Sequence, residues 1–200
     1  MAKMDPRVYK TLRSIDDALL ENLKDYPIQK ITIEMLCKSA LINRSTFYKY
    51  YVDKYALLDD YLSRTLVEFR NRVKADFVLA EPTHIDDPVY ETLFRETADY
   101  LYTRREEYRV LWHAAIDRNI YGEMIEIVRD SILEKIAEKN ENRDISPYQE
   151  LYATFFASNM MSLIHWWFMH ENQVTEDEVL RIMTRNMKKG LFYTFKQYIE

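Results

Sequence analysis

Glycine is almost missing from this chain: two residues in 200, alongside five prolines. So few breakers leave little material for tight turns, and with 48% apolar residues the chain reads as long helices joined by few loops. Cysteine is scarcer still. Cys37 stands alone, which excludes an intramolecular disulfide framework and suits a reducing cytoplasm. No uninterrupted apolar run approaches the roughly 18 residues of a membrane span, and the N-terminus lacks the apolar core of a signal peptide. Catalytic signatures are missing as well: no Gly-rich phosphate loop, no Cys/His metal pattern, no nucleophile motif. The acidic pairs Asp16-Asp17, Asp59-Asp60 and Asp86-Asp87 are sequence neighbours, which point apart on a helix and read as solvated faces or caps. His113 and His165 sit beside tryptophans, without a second ligand at metal spacing. The expectation is an all-α cytoplasmic protein that is not an enzyme and needs no cofactor, metal or membrane.

What is present concentrates between Ile31 and Tyr51. Ile33, Leu36, Cys37 and Ala40 fall at the i, i+3, i+4, i+7 positions of one apolar helix face. Thr32 can cap that helix, and Glu34 places a carboxylate near its positive end. Asn43 is a good N-cap for a second helix beginning at Arg44. On that helix Phe47 and Tyr51 share a face, an i, i+4 pair able to pack back onto the first helix. Arg44, Ser45, Thr46, Tyr48 and Lys49 remain on the other faces. A short helix that presents donors from its first turn can enter a major groove and reach base edges. Spacing alone also fits an ordinary two-helix corner.

The residues from about Arg7 to Leu66 resemble the N-terminal domain of the TetR family of bacterial transcriptional regulators. The resemblance rests on Lys30-Ile-Thr-Ile33, Leu36-Cys-Lys-Ser-Ala40, Asn43-Arg-Ser-Thr-Phe-Tyr48 and Asp53-Lys-Tyr-Ala-Leu-Leu58. Two positions depart from it: Leu41 and Ser45 stand where the family usually has glycine, and a non-Gly residue at positive φ costs roughly 1–2 kcal/mol. The resemblance implies a three-helix helix-turn-helix domain over residues 1–66 and a helical regulatory and dimerisation domain over 67–200. Expected DNA contacts are Thr32 and Asn43, bases or nearby phosphates from Arg44, Ser45 and Thr46, backbone from Tyr48, Lys49 and Tyr50, and a phosphate from Lys54.

Charge follows the same division. The chain carries 28 Lys/Arg against 33 Asp/Glu, yet residues 1–60 hold ten against nine. The acidic excess lies in the remainder, so binding to an anionic polymer should be oriented and salt-dependent.

Further along, helical periodicity predicts a first helix at 7–23 and a long one at 54–78. Others are expected at 88–103, 105–117, 119–140, 147–171 and 176–198, with a linker at 81–88. Ser146-Pro147 is a helix start, and Thr175-Glu-Asp-Glu178 is a capping box. The last two helices carry more apolar surface than one pair buries in a small domain, and a symmetric dimer is the commonest remedy. Phe156, Met160, Leu163, Trp167, Ile182, Leu191 and Phe195 are the expected dimer contacts, and the resemblance agrees, since family members dimerise through these helices. A two-fold dimer would address palindromic double-stranded DNA with half-sites about 34–36 Å apart or a multiple of that.

The resemblance also implies a small-molecule effector in the second domain. Phe94, Tyr108, Leu111, Trp112, His113, Ile116, Phe155 and Asn159 are its candidate lining, because aromatics with a few polar groups make ligand pockets. The function expected is a ligand-modulated transcriptional repressor. The alternative is a helical co-regulator or protein-interaction module that has lost autonomous DNA binding.

Overall fold

A computed structural model describes residues 5–79, 88–139 and 144–190. Among the described residues there are nine α-helices and no strand. They are α1 (Pro6–Asp25), α2 (Ile33–Ser39), α3 (Arg44–Phe47), α4 (Lys54–Arg72), α5 (Pro88–Thr103), α6 (Arg105–His113), α7 (Ile120–Lys139), α8 (Pro147–His170) and α9 (Glu176–Lys189). None of the described helices is long and apolar enough to cross a membrane. The helices form two compact units. One holds the chain up to Glu68 together with Glu106–Tyr121; the other holds Phe69–Arg105 and the chain from Gly122 onward.

In the first unit, α1 and α2 pack on one another around fully buried Ile15, Leu19, Ile28, Ile31 and Leu36. Burying each such side chain contributes about 1.5–3 kcal/mol. Asn22 is buried beside them and satisfied, its amide donating to the Ala18 carbonyl at 2.7 Å and to Ser39 Oγ at 3.1 Å. The segment after the expected boundary contributes here too. Tyr108 and Leu111 of α6 are buried, and the Glu107 carboxylate accepts from Tyr61 at 2.5 Å and from Thr65 at 3.4 Å. Helix α6 stops at His113, short of the expected 117. His113 Nδ1 donates to the Arg109 carbonyl at 2.8 Å, a side-chain bond that competes with the helix ladder.

The second unit begins inside α4, which ends at Arg72 rather than near 78. The Thr97 hydroxyl donates to the Arg72 carbonyl at 3.1 Å, and a 3₁₀ turn, Asp76–Leu79, follows. Arg70 pairs with Glu134. Helix α9 packs on α8 and on α5. Both late helices start on reciprocal caps, Ser146 with Gln149 and Thr175 with Glu178. Trp167 is 1% exposed: its ring stacks on Tyr102 with centroids 4.6 Å apart, and its Nε1 donates to the Val174 carbonyl at 3.2 Å. The 81–88 linker lies outside the described residues apart from Pro88 at the start of α5.

Candidate DNA-reading surface and effector cavity

Local bonds shape the reading head. Thr32 Oγ1 accepts from Met35 N at 3.2 Å and starts α2, while Asn43 Oδ1 accepts from Thr46 N at 2.8 Å and starts α3. The connection between them bends at Leu41, whose φ is 54°. That is the left-handed region at the position where the family usually has glycine, so the turn keeps its shape and bears the strain. Helix α3 is only one turn long. Tyr50 N and Tyr51 N both bond the Phe47 carbonyl, at 3.0 and 3.1 Å, and continue the winding to Tyr51. Phe47 and Tyr51 are buried with ring centroids 6.0 Å apart, anchoring this face.

Arg44, Ser45, Tyr48 and Lys49 are exposed, and Thr46 and Tyr50 are half-buried. Their donors are not equally free. The Ser45 and Thr46 hydroxyls donate to Asn43 Oδ1 at 2.7 and 2.8 Å, so both are turned toward the cap. Arg44 lies 3.7 Å from the exposed Glu34 carboxylate, a distance at which little energy is committed. Lys54 directs two of its three N–H groups to the Gln29 and Ile31 carbonyls at 2.8 and 2.7 Å. Lys54 thus fastens the start of α4 to the turn before α2 and keeps one N–H for the expected phosphate.

A network that the sequence did not announce lies behind this surface. Tyr51 donates to Asp60 at 2.9 Å, Arg64 Nε to Asp60 at 3.0 Å, and the Arg64 guanidinium to both oxygens of Asp16 at 2.9 and 3.0 Å. It joins the end of the recognition segment to α4 and α1. Burial pushes the Asp16 carboxyl above its usual range despite Arg64, and burial beside Asp60 pushes the Tyr51 phenol up. Cys37 is buried, which raises its thiol and leaves it as core.

In the second unit a cavity of about 1020 Å³ opens between α7, α8 and α9. Of the expected effector residues, Phe155 and Asn159 line it, and Phe94 lies behind, its ring 5.9 Å from that of the lining Phe156. Tyr108, Leu111, Trp112, His113 and Ile116 do not. Tyr108 stacks on Trp112 at 5.7 Å and Trp112 meets Tyr121 edge-on at 5.4 Å, so these aromatics fill space in the first unit. Tyr148, Tyr152, Ser158, Met183 and Asn186 were missed. The signal for part of this set was Tyr148, Tyr152, Phe155, Asn159 and Ser162 recurring every three or four residues, a stripe mixing aromatics with small polar groups.

Of the expected dimer contacts, Met160 and Trp167 are buried within the unit itself, and Phe156 and Met160 line the cavity. Leu163 and Ile182 are half-buried, whereas Trp166 and Met169 are exposed by 42% and 58%. Leu191 and Phe195 lie outside the described residues.

A capped helix-turn-helix joined to a helical domain with a large apolar cavity is the build of a transcriptional regulator. The family model for the transcriptional regulator C-terminal region, a TetR class, matches residues 90–189. The chain belongs to the TetR family of transcriptional regulators. Solved structures agree on the fold. The fatty acid degradation regulator FadR from Bacillus halodurans superposes with a TM-score of 0.63 at 11% identity, covering 94% of this chain and 98% of its own. A proposed fatty acid metabolism regulator of Clostridium perfringens gives 0.61 at 16% identity, over 89% and 98% of the two chains. The dihydroxyacetone kinase operon activator DhaS gives 0.54 at 15%, over 94% and 95%. No curated protein matches the chain in sequence.

Proposed function

We propose that this TetR-family regulator is a cytoplasmic repressor that holds a palindromic operator as a homodimer and is modulated by an effector in the α7–α8–α9 cavity. The observation that carries the reading is the exposed first turn of α3, held on the Asn43 cap with Arg44 and Lys49 facing solvent. Arg44 reads a base edge or the adjacent phosphate. Ser45 and Thr46 release their bonds to Asn43 as they donate to DNA; Thr32, Tyr48, Lys49, Tyr50 and the remaining Lys54 proton hold backbone. Asn43 serves the surface by capping it. Residues 1–66 are the DNA-binding domain and 67–200 the regulatory one, with Glu106–Tyr121 of the latter contributing to the core of the former.

The proposed dimer uses the C-terminal half of α8 and the facing part of α9: Leu163, Trp166, Met169 and Ile182. Trp166→Glu places a charge on this face and should yield monomers by sedimentation, with weakened operator binding and unchanged helix content. The apolar wall of that cavity supports an apolar effector.

The deciding experiment is selection of binding sites from random duplexes, followed by affinity measurement across salt. A palindrome, and a steep salt slope of about −0.9 per phosphate contact, are expected. Arg44→Ala should reduce affinity and blur the sequence preference by about 1–3 kcal/mol of discrimination. Absence of binding to every duplex would favour the co-regulator module, a reading the strained Leu41 turn and the cap-bound hydroxyls keep in play.

A further inference from the structure

The cavity between α7, α8 and α9 is chemically one-sided. None of its fourteen described lining residues carries a charge. Ile132, Ile136, Ala153, Phe156, Met160 and Met183 supply apolar wall, and the polar groups are the hydroxyls of Ser158 and Ser162, two phenols, and the carboxamides of Gln149, Asn159 and Asn186. Gln149 already caps α8, its Oε1 accepting from Ser146 N at 2.9 Å. Asn186 differs from the others. Its Oδ1 is sealed from solvent and has no hydrogen-bond donor among the described residues. A buried acceptor left unmade is costly, and an amide turns readily about χ2, so this oxygen is available to a donor entering the cavity.

We infer that the cavity takes an uncharged apolar molecule bearing a hydroxyl or N–H donor, and that Asn186 receives that donor. The inference rests on the reading of the second unit as an effector domain and names the effector's class. A volume of about 1020 Å³ is at the upper end of ligand pockets, room for a lipid-sized molecule. A free fatty acid anion or a coenzyme A thioester is disfavoured, because an ionised group finds no cation among the described lining residues to replace its lost hydration. Tyr148, Tyr152 and Phe155 of the lining are exposed by 76%, 70% and 59%, so a second copy of the chain is the rival occupant; the orphaned acceptor of the lining residue Asn186 favours the small molecule.

The test uses the full chain and three probes of equal chain length, 1-decanol, decanoate and 1-methoxydecane, measured by calorimetry at pH 8. Decanol should bind at least about tenfold more tightly than decanoate, and about five- to tenfold more tightly than the ether, which lacks the donor. Asn186→Leu should remove the preference for alcohol over ether and leave ether binding in place. The wild-type comparison reads the same contact should that variant fold poorly. Longer alcohols should gain about fourfold per methylene until the cavity is full. Decanoate binding as well as decanol, or ether as well as alcohol, overturns the inference. So does a chain that binds none of the three, with Tyr152→Glu dissociating a dimer that covers the cavity. Operator affinity measured without any probe tests the regulator reading separately, so the two fail independently.

Discussion

Replacing Leu41 with glycine should stabilise the first unit without a new contact. Leu41 sits at φ 54° with its side chain 91% exposed. The left-handed conformation costs a non-Gly residue about 1–2 kcal/mol. Glycine removes that cost but brings a more disordered unfolded chain, a penalty of about 0.4–1 kcal/mol. Little packing is lost, because a side chain this exposed touches little. The net is a gain of about 0.5–1 kcal/mol, worth a few degrees in melting temperature for a domain of this size. Thermal and urea unfolding followed by circular dichroism would measure it, and slower amide exchange in α2 and α3 would place it. Leu41→Ala is the control. Alanine keeps the Cβ that clashes in this region, so its stability should match the parent within a few tenths of a kcal/mol. Equal gains from alanine and glycine would refute the backbone argument, as would a destabilising glycine.

Lys54→Met keeps the aliphatic stem but removes the bonds to the Gln29 and Ile31 carbonyls. It should cost about 2 kcal/mol of stability by urea denaturation and weaken binding to all DNA sequences alike; unchanged stability would reject the fastening role. Glu176, hydrogen-bonded to Asp99 and partly buried near Asp177, is held well above its ordinary 4.5, at about 7, with Arg95 opposing the shift. Between those values the folded chain binds more protons than the unfolded one, so stability should fall as pH rises from about 4.5 to 7. Glu176→Gln should flatten that part of the profile in pH-dependent unfolding, and an unaltered profile would reject the assignment.

Helix starts were legible in the sequence because a cap is a bond between residues two or three apart. Thr32, Asn43, Ser146 and Thr175 all cap where their side chains and spacing placed them. The buried pair Phe47 and Tyr51 followed from helical period for the same reason. The two-tryptophan step on α8 was not legible: apolar residues run around most of that helix, so period cannot say that Trp167 is core and Trp166 is surface. The aromatics of α6 misled for a related reason, since composition does not tell a ring that fills a core from one that lines a void.

By itself the sequence determined an all-helical chain, its capped helix-turn-helix and the family it resembles, because local hydrogen bonds and apolar period act over one or two turns. Only tertiary structure decided that Arg64 meets Asp16 across 48 residues, that Lys54 directs two of its three N–H groups to backbone carbonyls, and where the cavity opens. Those outcomes depend on which surfaces meet. Meeting is a property of the packed chain, set by the burial of whole faces, and no short-range pattern encodes it.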